Sequence, residues 1–386
     1  MNENAERKKT VRTFAAASFL NDMGSDMIYP IWPLFVTSLG ANMAVLGFID
    51  GIGDAIVSVS QAVSGYISDR IRKKKVFIWL GYVFAFLSRL GYAFSTFWQI
   101  LIPFRILDRA GKMRGAPRDA MIADLSTQAN RGESFGFLRA MDNLGAVCGI
   151  LLCILFFQYL GYRDLFLLAA IPSVVAVFLI FFRIREKETG ETRIYQGVKL
   201  SDLDRNLQLF MFLSSLFALG SFSYSFLLIT SKDYGFQIAF IPVFYLLFTA
   251  VAFLCSLPFG KLSDRMGRKF VLLISFVLWG LVCLTFLFLK SAWAVFAAFI
   301  LYGLHRGSLD TVQKAFVSEL GPEAFRASVL GGFQMVIGLC ALPASLLAGL
   351  LWDQIDRHAP YALSLGLTVL AALLLVFVKE KKETAS

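Results

Sequence analysis

The sequence predicts an all-α, polytopic membrane protein whose twelve transmembrane helices form two pseudo-symmetric six-helix bundles. Three observations predict it: an apolar, charge-poor composition, a succession of apolar runs long enough to cross a bilayer, and an internal repeat. The chain is 57% hydrophobic and 17% charged, with a mean hydropathy of +0.67, whereas soluble domains carry roughly 25% charged residues. Spanning a hydrocarbon core of about 30 Å takes about 20 apolar residues. Such runs fall near 13–39, 44–67, 76–95, 98–122, 134–159, 164–183, 207–230, 238–259, 269–289, 291–314, 326–351 and 360–378.

The repeat divides these runs into halves. GYISDRIRKKK starts at Gly65 and GKLSDRMGRKF at Gly260, 195 residues later. AMIADL from Ala120 and AFVSEL from Ala315 keep that offset, as do Arg131 and Arg326. The expected domains are therefore residues 1–183 and 207–386, each of six helices, joined by a polar linker over 184–206.

The net charge of +10 is decided by location. One alternating set of loops holds Lys8, Lys9, Arg12, DRIRKKK, Arg114, Arg118, Arg131, RIREK, DRMGRK, Arg326 and KEKK; the other holds little beyond Arg163, Lys232, Lys290 and Arg357. This is the positive-inside bias, so both termini are expected in the cytoplasm of a cell whose inner membrane holds the chain. No nucleic acid is needed to explain the surplus. MNENAERKKTVR lacks the short apolar core of a removable signal peptide. Cys148, Cys153, Cys255, Cys283 and Cys340 lie inside apolar runs without metal-ligand spacing and read as small core residues.

SFLNDMGSDMIYPIWPLFVTSLG, residues 18–40, carries Asp22 and Asp26 inside the first span. A carboxylate at a helix centre costs roughly 2.5–3.5 kcal/mol on insertion scales, which excludes a lipid-facing position. Asp22 lies ten residues past Arg12, about 15 Å along the helix, and Asp26 follows one turn later on the same face. The second span repeats the spacing with Asp50 and Asp54 among Gly47, Gly51 and Gly53, which permit close helix approach. Asp50 lies nearer the outer surface and is equally suited to simple hydration. Counter-charges follow: Arg89 on the third span, Arg105, Asp108, Arg109 and Lys112 on the fourth, Arg139, Asp142 and Asn143 on the fifth. A buried carboxylate beside an arginine stays ionised and an unpaired one can hold a proton, so a mixed set suits a proton relay. The alternative is a buried network that only fixes packing. At the 195 offset Asp108, Arg109 and Lys112 meet Gly303, Leu304 and Gly307, so this charge belongs to the first half. The second half offers Tyr224 in SFSYSF, then His305, Arg306 and Asp310, then Gln334. His305 is equally a candidate ligand and a hydrogen-bonded core residue. Many of the 39 phenylalanines must face lipid.

No Gly-x-x-x-x-Gly-Lys-[Ser/Thr] loop, dinucleotide fingerprint, zinc spacing or nucleophile elbow occurs. No cofactor is expected and the chain does not read as an enzyme.

The Gly-x-x-Ser-Asp-Arg loop between the second and third spans, repeated between the eighth and ninth, resembles the signature loop of the major facilitator superfamily over the whole twelve-helix chain. That resemblance implies secondary transport by alternating access, with Gly65, Asp69, Arg70, Gly260, Asp264 and Arg265 gating the basic end. Arg72 stands where the first copy would carry glycine, while the second keeps Gly267. Arg105, in LIPFRILDRAG, is similar to the helix-four arginine of drug/proton antiporters. In GAVCGILL, residues 145–152, Ile150 replaces the proline such antiporters often carry, leaving Gly145 and Gly149 as a small-residue seam. The expected function is proton-coupled efflux of a small organic solute by a monomer. Asp22, Asp26, Asp54, Arg105 and Asp142 are expected to move protons. Asp22, Asp26, Asp54, Arg109, Arg139, Asn143, Tyr224, His305, Asp310 and Gln334 are expected to meet cargo. The arginine ladder leaves an organic anion open as cargo, the hard oxygens of the acids a divalent cation, and a non-transporting receptor is the remaining alternative.

Overall fold

The computed structural model describes residues 3–71, 73–126, 128–186, 204–322 and 326–380, with only the backbone of 3–7, 69, 128–132 and 326–328. Among the described residues all regular structure is helical: α1 (Glu3–Asp26), α2 (Trp32–Ser38), α3 (Met43–Ile71), α4 (Lys74–Ala93), α5 (Trp98–Ala110), α6 (Gly115–Asp124), α7 (Gln128–Arg183), α8 (Arg205–Gly220), α9 (Tyr224–Lys232), α10 (Ile241–Met266), α11 (Arg268–Phe288), α12 (Ala292–Leu320), α13 (Arg326–Gln354) and α14 (Ala359–Phe377). Pairs α1–α2, α5–α6 and α8–α9 each make one pass, α5 and α6 being joined by the 3-10 turn Gly111–Arg114. The 56 residues of α7 are too many for one bilayer at about 1.5 Å each. Gly161 breaks them with φ +68°, a conformation that a Cβ would disfavour, and gives two passes. The result is the expected twelve. Among the described residues, eight stretches are long and apolar enough to cross a membrane by composition. Those that fall short, α1–α2, α5–α6 and α12, are the passes loaded with ionisable residues.

The chain falls into two compact units, Met1–Ala41 with Ile56–Tyr195 and Asn42–Ala55 with Gln196–Ser386. In the first, α1 packs most extensively on α7, around a core that includes Phe14, Ala17, Ile78, Tyr82, Leu138 and Ala176. Gly145 and Gly149 bring these helices together: a methyl on either would meet a backbone carbonyl of α1, that of Phe19 or of Met23. In the second unit Phe217 stacks on Phe276 at 4.4 Å, and the buried Trp279 donates to Ser364 Oγ at 2.8 Å. Phe182, Phe253, Phe288 and Phe377 are exposed, as lipid-facing side chains must be in a membrane span.

Both units build the same clasp at the start of their third pass. In the first, the amides of Lys74 and Lys75 donate to the Glu186 carboxylate at 2.7 and 2.9 Å, while Lys74 Nζ meets Asp124 at 2.6 Å. In the second, the Arg268 amide donates to Glu380 and its guanidinium to Glu319 at 2.9 Å. A carboxylate thus satisfies the orphan N–H groups that open α4 and α11. Gly267, at φ +97°, supplies the turn before α11 that the signature loop calls for.

Gly149→Val places two methyl carbons against a carbonyl that cannot move without moving α1. Overpacking of this kind costs about 1–3 kcal/mol, so the variant is expected to melt several degrees lower in a detergent thermal-unfolding assay while Gly136→Val, in open space, does not.

Candidate substrate and coupling site

Arg89 explains how one mid-span charge is held. It is 1% exposed, and its Nη2 donates to the Asn21 carbonyl at 2.8 Å, Asn21 Oδ1 at 3.3 Å and Ser25 Oγ at 2.7 Å, with Nη1 reaching the Ala169 carbonyl at 3.3 Å. The guanidinium fork staples α4 to α1 and to the second arm of α7. Gly24 makes room, because a Cβ there would strike Arg89. Arg89 is a packing residue as well as a counter-charge.

Next to it run the arginines of α5, the 3-10 turn and α6. Arg105 lies over the Trp32 ring at 4.2 Å and Arg109 over Tyr29 at 4.9 Å, donating to the Tyr29 hydroxyl at 3.2 Å. Arg109 also approaches Asp108 at 3.8 Å. Arg114 donates to the Gly111 carbonyl at 2.8 Å and approaches Asp22 at 3.8 Å. Arg118 donates to Ser18 Oγ at 2.6 Å and Asp119 at 2.9 Å, and approaches Asp142 at 3.9 Å. Arg139 bridges Asp142 at 3.4 Å and Asp119 at 3.7 Å from an exposed position. Asp22, Asp142 and the arginine ladder therefore form one network within the first unit. Asp26 is half-buried one turn beyond Asp22, and Asn143 is exposed.

The second unit gathers a different set. Arg306 and Asp310 pair at 3.0 Å, both about half exposed, at the middle of the 29-residue α12. A charge pair exposed at that depth must face water or cargo, since lipid would exact its insertion cost. Asp54, on the part of α3 that belongs to this unit, is exposed and interacts electrostatically with Arg306 and Tyr302. Tyr302, Phe248, Tyr245 and Tyr224 continue as an aromatic wall, with successive ring centroids 5.0, 4.9 and 5.3 Å apart. Gln334 is half-buried on α13. His305 resolves to the core alternative: it is 2% exposed, its Nδ1 lies 2.9 Å from the Ser275 carbonyl, and Phe217, Trp279 and Tyr302 surround it. Asp50 resolves against simple hydration. It is 2% exposed and accepts from Ser223 Oγ at 2.7 Å and Ser225 Oγ at 2.5 Å.

Of the gating residues, Gly65 faces Ala116 and Gly260 faces Thr311, Asp264 pairs with Arg268 at 2.5 Å, and Arg70 and Arg265 are exposed. The side chain of Asp69, like Arg72 and the side chains of Arg131 and Arg326, lies outside the described residues. Asp124, Glu186, Glu319 and Glu380 were missed, although Asp124 and Glu319 stand at the 195 offset inside AMIADL and AFVSEL. Among the described residues no three His, Cys, Asp or Glu side chains gather as a metal-ligand group.

Twelve helical passes in two units, with ionisable side chains buried at mid-span, define a membrane transporter. The comparisons agree. The Major Facilitator Superfamily profile matches residues 14–255 and 209–386. An MFS-type transporter of Methanocaldococcus jannaschii is 36% identical over 387 residues, covering 98% of this chain and 97% of that protein. The multidrug resistance protein MdtG of Salmonella paratyphi A is 26% identical over 307 residues, covering 75% and 76%. Among solved structures, the nucleoside transporter NupG superposes with a TM-score of 0.76 at 17% identity, covering 99% and 100%, and a D-xylose–proton symporter with 0.76 at 16%, covering 97% and 98%. The chain belongs to the Major Facilitator Superfamily and is a secondary transporter, not an enzyme.

Replacing Arg89 by Lys keeps the charge but loses the planar fork, leaving buried acceptors on α1 and α7 unmatched. The expected loss is about 2–3 kcal/mol of stability, read as a lower melting temperature in detergent, with Arg139→Lys, on an exposed side chain, close to neutral.

Proposed function

We propose that the chain exports a small organic solute in exchange for protons, as a monomer in the inner membrane. The halves 1–183 and 207–386 rock about a central site, with linker 184–206 and both termini in the cytoplasm. The observation that carries the reading is the spacing of the two carboxylates in the first unit. Asp22 and Asp142 stand 3.8 and 3.9 Å from Arg114 and Arg118, close enough for Coulomb attraction but beyond the roughly 2.7–3.2 Å of an N–H···O hydrogen bond. Arg118 spends its short bonds on Ser18 and Asp119 instead. A carboxylate attracted to an arginine but not clamped by it can gain and lose a proton without dismantling the fold. Asp22, Asp142 and Asp26 then carry the proton, and Arg105 and Arg139 bias which acid is charged.

Cargo is expected to meet Asp54, Asp310, Tyr224 and Gln334 in the second unit and Arg109, Arg139 and Asn143 in the first, with the basic-end loops, Gly65 to Arg70 and Gly260 to Arg265, as gates. The likeness to MdtG supports efflux of drug-like compounds. A second reading, an organic anion, is favoured by the buried Arg105 and Arg109.

In proteoliposomes with an imposed pH gradient, cargo-elicited proton flux is expected in the parent protein. Asp22→Asn should abolish that flux while leaving cargo binding within about threefold. Flux that persists in Asp22→Asn would refute the coupling role. A response confined to organic anions, lost in Arg109→Gln, would give the site to the second reading.

A further inference from the structure

Three loops meet at the end of the second unit opposite the clasp of Arg268, Glu319 and Glu380, and they enclose a cavity of about 280 Å³. Asp233 and Tyr234 reach it from the α9–α10 loop, Lys290 and Ser291 from the α11–α12 loop, and Arg357 and His358 from the α13–α14 loop. Cross-ties fix all three. Tyr234 donates its hydroxyl to the Leu289 carbonyl at 3.0 Å, Arg357 Nη1 meets Asp233 at 3.0 Å, and His358 Nδ1 donates to the Phe286 carbonyl at 3.1 Å. Walls ordered in this way need not be assembled when a ligand arrives, which removes part of the cost of binding. Lys290 and Arg357 stand against the single carboxylate of Asp233, so positive charge is in surplus. Arg357 gives Asp233 one of the five N–H donors that a guanidinium presents, so it can hold Asp233 and a second anion together. Ser291 Oγ accepts the Ala294 amide at 3.2 Å, which leaves its O–H to donate.

The rim sets the level at which the cavity opens. Phe288 and Leu289 run up to Lys290, Trp293 follows two residues after Ser291, and Ile355 lies two before Arg357; all four are exposed, Trp293 at 82%. Exposed apolar side chains flanking charged ones mark the depth where acyl chains give way to headgroups, the zone in which tryptophan collects. The anion that a bilayer supplies at that depth is the lipid phosphate. We propose that this cavity binds the phosphodiester of a phospholipid headgroup, held by Lys290, Arg357 and the Ser291 hydroxyl, with the acyl chains lying over Phe288, Trp293 and Ile355. An arginine fork and an ammonium both donate to non-bridging phosphate oxygens in charge-assisted bonds. Asp233 sets a limit on the charge accepted, since its carboxylate repels a dianion more than a singly charged diester. Volume excludes the larger alternatives: the cavity falls just below the roughly 300–1,000 Å³ of sites that take drug-sized ligands. The inference needs neither the direction of transport nor proton coupling, because none of these residues belongs to the cargo or coupling set.

The test is a melting titration of the full chain in a maltoside detergent with three probes: dihexanoylphosphatidylglycerol, inorganic phosphate, and dihexanoylglycerol, which keeps the acyl chains and lacks the phosphate. A ligand that binds only the folded state raises the melting temperature as its concentration rises. The phospholipid is expected to do so and the phosphate-free lipid is not. Lys290→Gln is expected to weaken the apparent phospholipid affinity about tenfold, the loss of one charge-assisted contact, with the melting temperature of the lipid-free protein unchanged. Lys290→Arg is expected to restore the affinity. Lys232→Gln removes an exposed charge at the end of α9 that does not line the cavity, and is expected to leave the affinity as it was. No shift with the phospholipid overturns the site, as does an equal shift with dihexanoylglycerol or an equal weakening by Lys232→Gln, which would mean diffuse surface charge. A shift with inorganic phosphate that matches the phospholipid's overturns the lipid as the source and gives the cavity to free phosphate. Proton flux enters none of these readouts, so failure of the coupling reading leaves them intact.

Discussion

Hydrocarbon does not solvate ions, and in this chain the protein must do so itself. The mid-span charges described above are answered by protein groups, and the form of the answer differs from one to the next. Where the structure needs a fixed joint, as at Arg89, short bonds go to neutral carbonyls and a hydroxyl buried on all sides. Asp22 is answered more loosely, its arginine, Arg114, standing off by 3.8 Å. Aromatic faces supply a third solution, screening Arg105 and Arg109 with Trp32 and Tyr29.

The two units share a scaffold and divide the chemistry. Each clasps the start of its third pass with acids that arrive from its fourth and sixth passes: Asp124 and Glu186 in one, Glu319 and Glu380 in the other. The duplication therefore extends to the joints that set helix ends. It stops at mid-span. The positions that carry Asp108, Arg109 and Lys112 in the first unit are Gly303, Leu304 and Gly307 in the second, where Gly303 and Gly307 press against α10. One unit is built around titratable groups, the other around an aromatic wall beside the Arg306–Asp310 ion pair.

Much of this was legible in the sequence because it depends on period and composition. The span count follows from run length, and the inward acids from the cost of putting charge in lipid. Gly145 and Gly149 announced their seam because only small residues let two backbones approach. What stayed hidden depends on which segment docks where. Asp50 suited hydration as well as a buried role, since nothing local reveals that Ser223 and Ser225 cover it. His305 read equally as ligand and core until Ser275 and three aromatic rings were placed around it. Glu186 and Glu380 sat in polar stretches read as linker and tail, and no periodicity marks a side chain that reaches back to cap another helix. Asp124 and Glu319 did carry a signal, their common offset, but it pointed to symmetry before it pointed to a joint.

The double membership of α3 gives one acid a special place. The helix has no proline and runs 29 residues, about 43 Å at 1.5 Å per residue, its first turns counted with one unit and the remainder with the other. Affiliation changes between Ala55 and Ile56, and Asp54 lies within one turn of that boundary. A local change of helix geometry at that point would alter the distance from this carboxylate to Arg306, whose charge it feels.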